Sequence, residues 1–263
     1  ASYTDADPDP TPTVTGTSGG TFTSTAGIVI NADTGEIDLS ASTLNTYVVT
    51  YTVRGKACTQ SVEITASFTN TYSFNYDGVD DYINTGVSAL DGASAFTVSA
   101  WVNSSYTNWM YLLGDNSFRI ATKPSITKID LPFNGSVDFR STSFTLISGQ
   151  WHHIAVTFDG SLIQADRLKL YLDNVQIANI LSGTPDTTFV ANNNFMLGRT
   201  GTYSASEWNG YVDEVATWDS VQNVTILYNS GKPGNLASLS PVNWWRMGDN
   251  AAWDGSNWTL TDQ

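Results

Sequence analysis

The chain has 263 residues, with 11 Lys and Arg against 25 Asp and Glu, a formal net charge of −14. That sign excludes electrostatic attraction to nucleic acid and to an anionic membrane surface, and no stretch approaches the roughly 20 apolar residues of a membrane span. Hydrophobic residues make up 41% and aromatic residues 12%, ample material for a packed core and too much for a disordered chain.

Single residues exclude more. Cys58 is the only cysteine, so there is no intrachain disulfide, multi-cysteine zinc site or iron–sulfur cluster; it reads as a buried lone thiol. His152 and His153 are the only histidines, which excludes a His-rich metal centre. They are neighbours on a predicted strand and face opposite sides, so they cannot share one metal. One should pack near Trp151 and donate to a backbone carbonyl, the other sit on the outer face.

In chain order, Asp5–Pro12 is Pro-rich and cannot be regular helix. The chain opens in this polar run without Met and reads as a piece of something longer. Short β runs follow: Ala26–Ile30, a turn at Asn31–Gly35, then Glu36–Leu39, Thr46–Val53, a turn at Gly55-Lys56, and Gln60–Ala66. Strands at this spacing read as a small antiparallel sandwich. The run Gly27-Ile28-Val29-Ile30-Asn31, Thr34-Gly35-Glu36-Ile37 and Asn45-Thr46-Tyr47-Val48-Val49-Thr50 resembles the immunoglobulin-like modules of bacterial surface proteins. The glycine usual before Thr-Tyr is Asn45 here, which also tolerates left-handed backbone.

From Thr69 onward the pattern changes. Tyr72–Ile83 reads as a strand, an Asp77-Gly78 turn and a second strand. Phe96–Val102, Trp151–Phe158, Leu168–Asn174, Val175–Ile180, Phe195–Arg199 and Gly210–Trp218 are further β runs, and Val221–Asn229 alone reads as a short helix. The motifs Phe74, Asp77-Gly78-Val79-Asp80-Asp81-Tyr82, Trp151-His152-His153-Ile154-Ala155, Leu170-Tyr171-Leu172-Asp173, Leu197-Gly198 and Gly210-Tyr211-Val212-Asp213-Glu214-Val215 occur in one order. They resemble a laminin-G-like domain of the concanavalin A-like lectin/glucanase superfamily. The resemblance implies an all-β chain with an immunoglobulin-like sandwich over residues 1–68 and a laminin-G-like jelly roll over 69–263. The run Val242–Met247 would supply an edge strand. The pairing of the two modules resembles surface proteins of marine bacteria and appendage proteins of their phages.

Catalytic members of that superfamily carry a Glu-x-Asp-x-x-Glu strand, with carboxylates facing each other across a cleft. Glu36-Ile37-Asp38-Leu39-Ser40-Ala41 matches only half of it and lies in the first module, and the adjacent Asp213 and Glu214 should point to opposite faces. Calcium is the expected cofactor, held by the hard oxygens of Asp80 and Asp81 with the distant Asp213 or Asp249. A pentraxin-like acidic loop would follow Leu197-Gly198, but Arg199-Thr200-Gly201-Thr202 holds no acid. Sugars stack on aromatic rings beside amides and carboxylates, and the expected binding loops hold Tyr106, Asn108, Trp109, Tyr203 and Trp208, with Asn192, Asn193 and Asn194 near them. Sequons at Asn103, Asn134, Asn223 and Asn257 arise by chance in so Asn- and Ser-rich a chain.

The expected function is a non-catalytic extracellular, cell-surface or virion protein that binds a glycan or a cell-surface polysaccharide in adhesion, without nucleic acid and without membrane insertion. A structural subunit of a filament, shell or appendage is the second reading, and a polysaccharide hydrolase the third. A homo-oligomer or larger assembly is expected, with contacts through Trp245 or Trp253 and the immunoglobulin-like module.

Overall fold

The computed structural model describes residues 1–104, 109–123, 126–130, 138–141, 146–177, 179–182, 185–191, 193–200, 206–249, 251–253, 258–260 and 262–263. It separates into two compact units, Ala1–Thr69 and Asn70–Gln263.

The first unit holds β1 (Ser2–Thr4), β2 (Thr21–Ser24), β3 (Val29–Ile30), β4 (Ile37–Asp38), β5 (Asn45–Val53) and β6 (Lys56–Thr65). Its main sheet runs β1-β6-β5-β2, and β3 and β4 form a separate ribbon. β5 and β6 are joined by Arg54-Gly55, both at positive φ (49° and 73°), the two-residue turn whose twist suits a hairpin. Ile37, Leu39, Tyr47, Val62 and Ile64 form its small core. The Pro-rich arm is held in place: Ile37 N donates to Pro10 O at 3.1 Å and Leu39 N to Asp9 Oδ1 at 2.9 Å. β1 joins β6 in parallel. Cys58 is exposed on β6, not buried: it pairs with Tyr51 and lines an open cleft together with Pro10, Pro12 and Val14.

The second unit holds β7 (Phe74–Asp77), β8 (Ile83–Asn84), β9 (Ala95–Ser104), β10 (Met110–Gly114), β11 (Arg119–Lys123), β12 (Ile126–Asp130), β13 (Asp138–Ser141), β14 (His152–Asp159), β15 (Leu168–Leu172), β16 (Val175–Gln176), β17 (Asn179–Ser182), β18 (Met196–Leu197), β19 (Asn209–Trp218), α1 (Val224–Tyr228), β20 (Asn243–Trp245), β21 (Ala252–Trp253) and β22 (Trp258–Thr259). One sheet has the order β17-β13-β12-β11-β10-β18-β8; the other runs β16-β15-β14-β9-β19-β20, with β7 also on β19. Two antiparallel sheets enclosing one apolar core make a jelly-roll sandwich.

That core takes Phe96, Val98, Ala100 and Val102 from β9, every second residue as the pleat requires. The alternate residues Thr97, Ser99 and Trp101 face the other way and are buried as well. The segment around α1 covers them. Thr97 Oγ1 donates to Ser220 O at 2.8 Å, and the Trp101 ring stacks on Tyr228 at 5.9 Å. The helix is short, capped by Asn223 Oδ1 accepting from Thr225 N and ended by Asn229 in the left-handed conformation.

Two expectations change here. Asp77-Gly78 does not close a hairpin: β7 pairs with β19 in one sheet and β8 with β18 in the other. The turn moves the chain between layers. Trp245 is not a contact for assembly but a core residue, stacked on Phe195 at 6.1 Å.

Candidate functional site

The cover on the outer face of the β14-β9-β19-β7 sheet stops short. Register makes neighbours of Asn75, Tyr211 and Asn103, and Trp151, two residues before the outward His153, has the same orientation one strand further on. Tyr211 is 44% exposed and Trp151 42% exposed, with ring centroids 6.3 Å apart. Asn75 is exposed and Asn103 half-buried. Two aromatic rings alternating with two amides form a shallow platform.

Beside it opens a cleft of about 360 Å³, lined by Asn70, Thr71, Tyr72 and Ser73, by Trp101, Trp151 and Asp213, and by Gly231, Lys232 and Pro233. Tyr72 is largely exposed. Asn70 Nδ2 donates to Asp213 Oδ2 at 2.8 Å, and Thr71 N donates to Asp249 Oδ1 at 3.1 Å. The carboxyl of Asp213 is pushed up to about 8, chiefly by burial, with the nearby Glu214 and Asp249 charges adding to it and the Asn70 and Glu214 N–H donors opposing. Burial raises Glu214 too. Glu214 takes hydrogen bonds from Trp244 Nε1 and from Arg246 Nε at 3.2 Å.

Asp213 and Glu214 are not simple opposite-face neighbours. The β9–β19 register shifts between Asp213 and Ala216 and Glu214 has φ 48°, a bulge that adds one residue and re-aims side chains. Both acids end up buried, with Glu214 N donating to Asp213 Oδ1 at 2.8 Å.

The histidines also depart from expectation, since both are buried. His152 Nδ1 lies 2.7 Å from Asp173 Oδ2 and its Nε2 accepts from Ile147 N at 3.0 Å, which fixes the tautomer with the proton on Nδ1. His153 Nε2 lies 2.8 Å from Ser99 Oγ, and burial lowers its pKa to about 4.

Of the expected sugar-binding residues, Tyr106, Asn108 and Tyr203, like the nearby Asn192, lie outside the described residues. Trp109 is 37% exposed. Trp208 is fully buried in the sandwich core, so it is no loop platform: its backbone N is tied to Gly198 O at 2.7 Å and its ring is turned inward. Among the expected calcium ligands, Asp80 and Asp81 come together with Asp77, their carboxylate oxygens within 4.8 Å of one another and all exposed. Asp213 does not join them. It faces the start of β7, four residues along β19 from the pair of Asp77, about 13 Å at strand rise. Asp77 Oδ1 accepts from Val79 N at 2.8 Å and Asp81 Oδ2 from Asp77 N at 2.9 Å, so two of the three acids brace the turn. Sequence reading passed over Trp151 and Tyr211. Period-2 counting sets each on the face opposite its apolar neighbours Ile154 and Val212 and marks them as outward.

Residues 77–225 match the laminin G family model described as concanavalin A-like lectin/glucanases superfamily. The chain belongs to that superfamily. A search of curated proteins found no match. Among solved structures, a "putative carbohydrate binding protein" from Bacteroides ovatus ATCC 8483 is 14% identical over 100% of this chain and 90% of its own, with a TM-score of 0.67; the two share a fold. A heptameric SAP-like pentraxin from Limulus polyphemus (13% identical, 72% of this chain and 91% of that one, TM-score 0.48) is also similar. So is the Ruminococcus gnavus IT-sialidase CBM40 bound to α2,3 sialyllactose (12% identical, 62% and 97%, TM-score 0.48).

Proposed function

We propose that the second unit is a non-catalytic glycan-binding module and that its sugar site is the outer-face platform of Trp151 and Tyr211, with Asn75, Asn103 and the Tyr72 cleft at its side. The carrying observation is the exposed aromatic pair on strand positions whose neighbours along the same face are covered by the α1 segment. Ring faces take the C–H faces of a sugar, and side-chain amides read its hydroxyls as donor and acceptor. Superfamily membership supports the ligand class, and the Bacteroides ovatus protein of the same fold bears a carbohydrate-binding description. The buried acids argue for binding rather than hydrolysis. Asp213 and Glu214 are each engaged by protein donors and do not face each other across an open cleft. An extracellular, cell-surface or virion setting, and a role in adhesion, belong to this reading.

The test is a glycan array probed with the full chain and with Trp151→Ala. Binding of the wild type to a subset of glycans, lost in the variant at unchanged melting temperature, is the expected result. A wild type that binds no glycan, or a variant with the same array profile, would overturn the reading.

A further inference from the structure

Trp151 lies just outside the ladder of its own strand. β14 begins at His152, whose register partner on β9 is Val102, so the turn before Trp151 sets the path of its backbone. That turn spans Ile147–Gln150. Gln150 N donates to Ile147 O at 3.1 Å, and Gly149 at φ 78° supplies the positive φ that a type II turn requires at its third position. Two hydrogen bonds tie the turn to the sheet. Gly149 N donates to Ser104 O at 3.1 Å, at the end of β9, and Ile147 N donates to His152 Nε2 at 3.0 Å.

The imidazole accepts at Nε2 because Asp173 makes it do so. Asp173 and Asn174, at φ 48° and 67°, form the two-residue turn between β15 and β16, closed by the pair Leu172 and Val175. There the Asp173 carboxylate is clamped against β14. Its Oδ1 accepts from His153 N at 2.8 Å, its Oδ2 lies 2.7 Å from His152 Nδ1, and Asp173 N donates to His153 O at 2.9 Å. A carboxylate only accepts, so the ring proton sits on Nδ1 and the Nε2 lone pair is left for Ile147.

We propose that His152 is a positioning residue for Trp151, and that its protonation releases the Ile147–Gln150 turn and loosens the platform. A second proton on the ring goes to Nε2, which then presents an N–H to the N–H of Ile147. Two donors cannot bond, and the tie is lost. Asp173 balances the new charge, so the imidazolium stays while the turn moves away. Imidazoles ordinarily titrate between pH 5 and 8. Among the described residues Asp173 is the charged group that faces His152: β9 sets Val102 beside it, and Ile147–Gln150 holds no charged side chain. His153 points to the other face, and burial lowers it to about 4, so it stays neutral over this range. The effect of acid on glycan affinity rests on the platform reading; the movement of the turn does not.

The test follows the isotope-labelled full chain by nuclear magnetic resonance from pH 8 to pH 5. The Ile147 amide and Trp151 indole resonances should shift with the midpoint of the His152 imidazole. His152→Gln puts an uncharged carbonyl oxygen within reach of Ile147 N, so both signals should hold still in that variant. Asp213 titrates in both chains, so its contribution cancels in the comparison. For an array-positive glycan, the wild-type affinity should fall from pH 8 to pH 5 by roughly fivefold more than that of His152→Gln, the worth of one hydrogen bond. Ile147 or Trp151 signals that ignore the His152 midpoint, a variant that responds as wild type does, or equal affinity changes in the two chains would overturn the proposal. The wild-type titration decides by itself if the variant does not fold. If neither chain binds a glycan, the platform reading alone falls, and the two resonances still decide this one.

Discussion

Asp213 is a carboxyl held near the edge of ionisation by its surroundings. Burial raises it from the ordinary 3.8 to about 8, so between those values the folded chain holds a proton that the unfolded chain has lost. Folding stability therefore falls as pH rises from about 4 to about 8 on this group's account, and levels above that. Asp213→Asn keeps the shape and one acceptor without the charge. Its melting temperature should exceed that of wild type at pH 9 and converge with it at pH 4; parallel curves would contradict the assigned burial cost. Trp208 shows the other side of the residue scale. Sequence reading places it in a binding loop, yet its ring fills the core. Trp208→Ala should cost about 3–5 kcal/mol in urea unfolding, whereas Trp151→Ala, with its ring half in water, should cost far less. A turn-rich flank such as Ser206-Glu207-Trp208 carries no periodicity, and only the packed partners decide which way the indole points.

Among the elements, the strongly alternating strands were legible, whereas β1, β2 and β10–β13 were passed over and which strands pair was hidden. Alternation in Phe96–Val102 and Gly210–Trp218 marks β9 and β19 on its own, because one face of each is apolar. Asp77-Gly78 signals a turn, but whether the next strand returns to the same sheet depends on contacts far away in sequence. Gly78 at φ 79° lies against Asn209, where a Cβ would come within 2.8 Å of the Asn209 Cβ, a contact between residues far apart in sequence. The bulge at Glu214 was equally hidden, since a single extra residue leaves the apolar pattern nearly intact. At Gly210 β9 and β19 approach closely: an added Cβ would lie 2.3 Å from Asn103 O, at φ 131°. Gly210→Ala should force the strands apart beside the platform. We expect a loss of about 2 kcal/mol or more in urea unfolding, the range of strained and overpacked sites, and weaker glycan binding with it. Unchanged stability would mean the strand pair yields easily there.

At the scale of the whole molecule the chain divides into two units with separate cores. Residues Asn70–Gln263 expressed alone should stay β-rich by circular dichroism and retain the glycan profile of the full chain. Loss of the fold would mean that the arm unit completes the sandwich. The superfamily was legible from ordered motifs, since they sit on paired strands of one sandwich. The platform was not, because it exists only where four strands lie in register and the α1 cover ends. The most direct measurement follows the indole N–H resonances of the nine Trp residues by nuclear magnetic resonance while an array-positive glycan is added. The Trp151 signal should move in proportion to occupancy while Trp109 stays in place. Movement of Trp109 with Trp151 unchanged would put the sugar on the loops and contradict the platform.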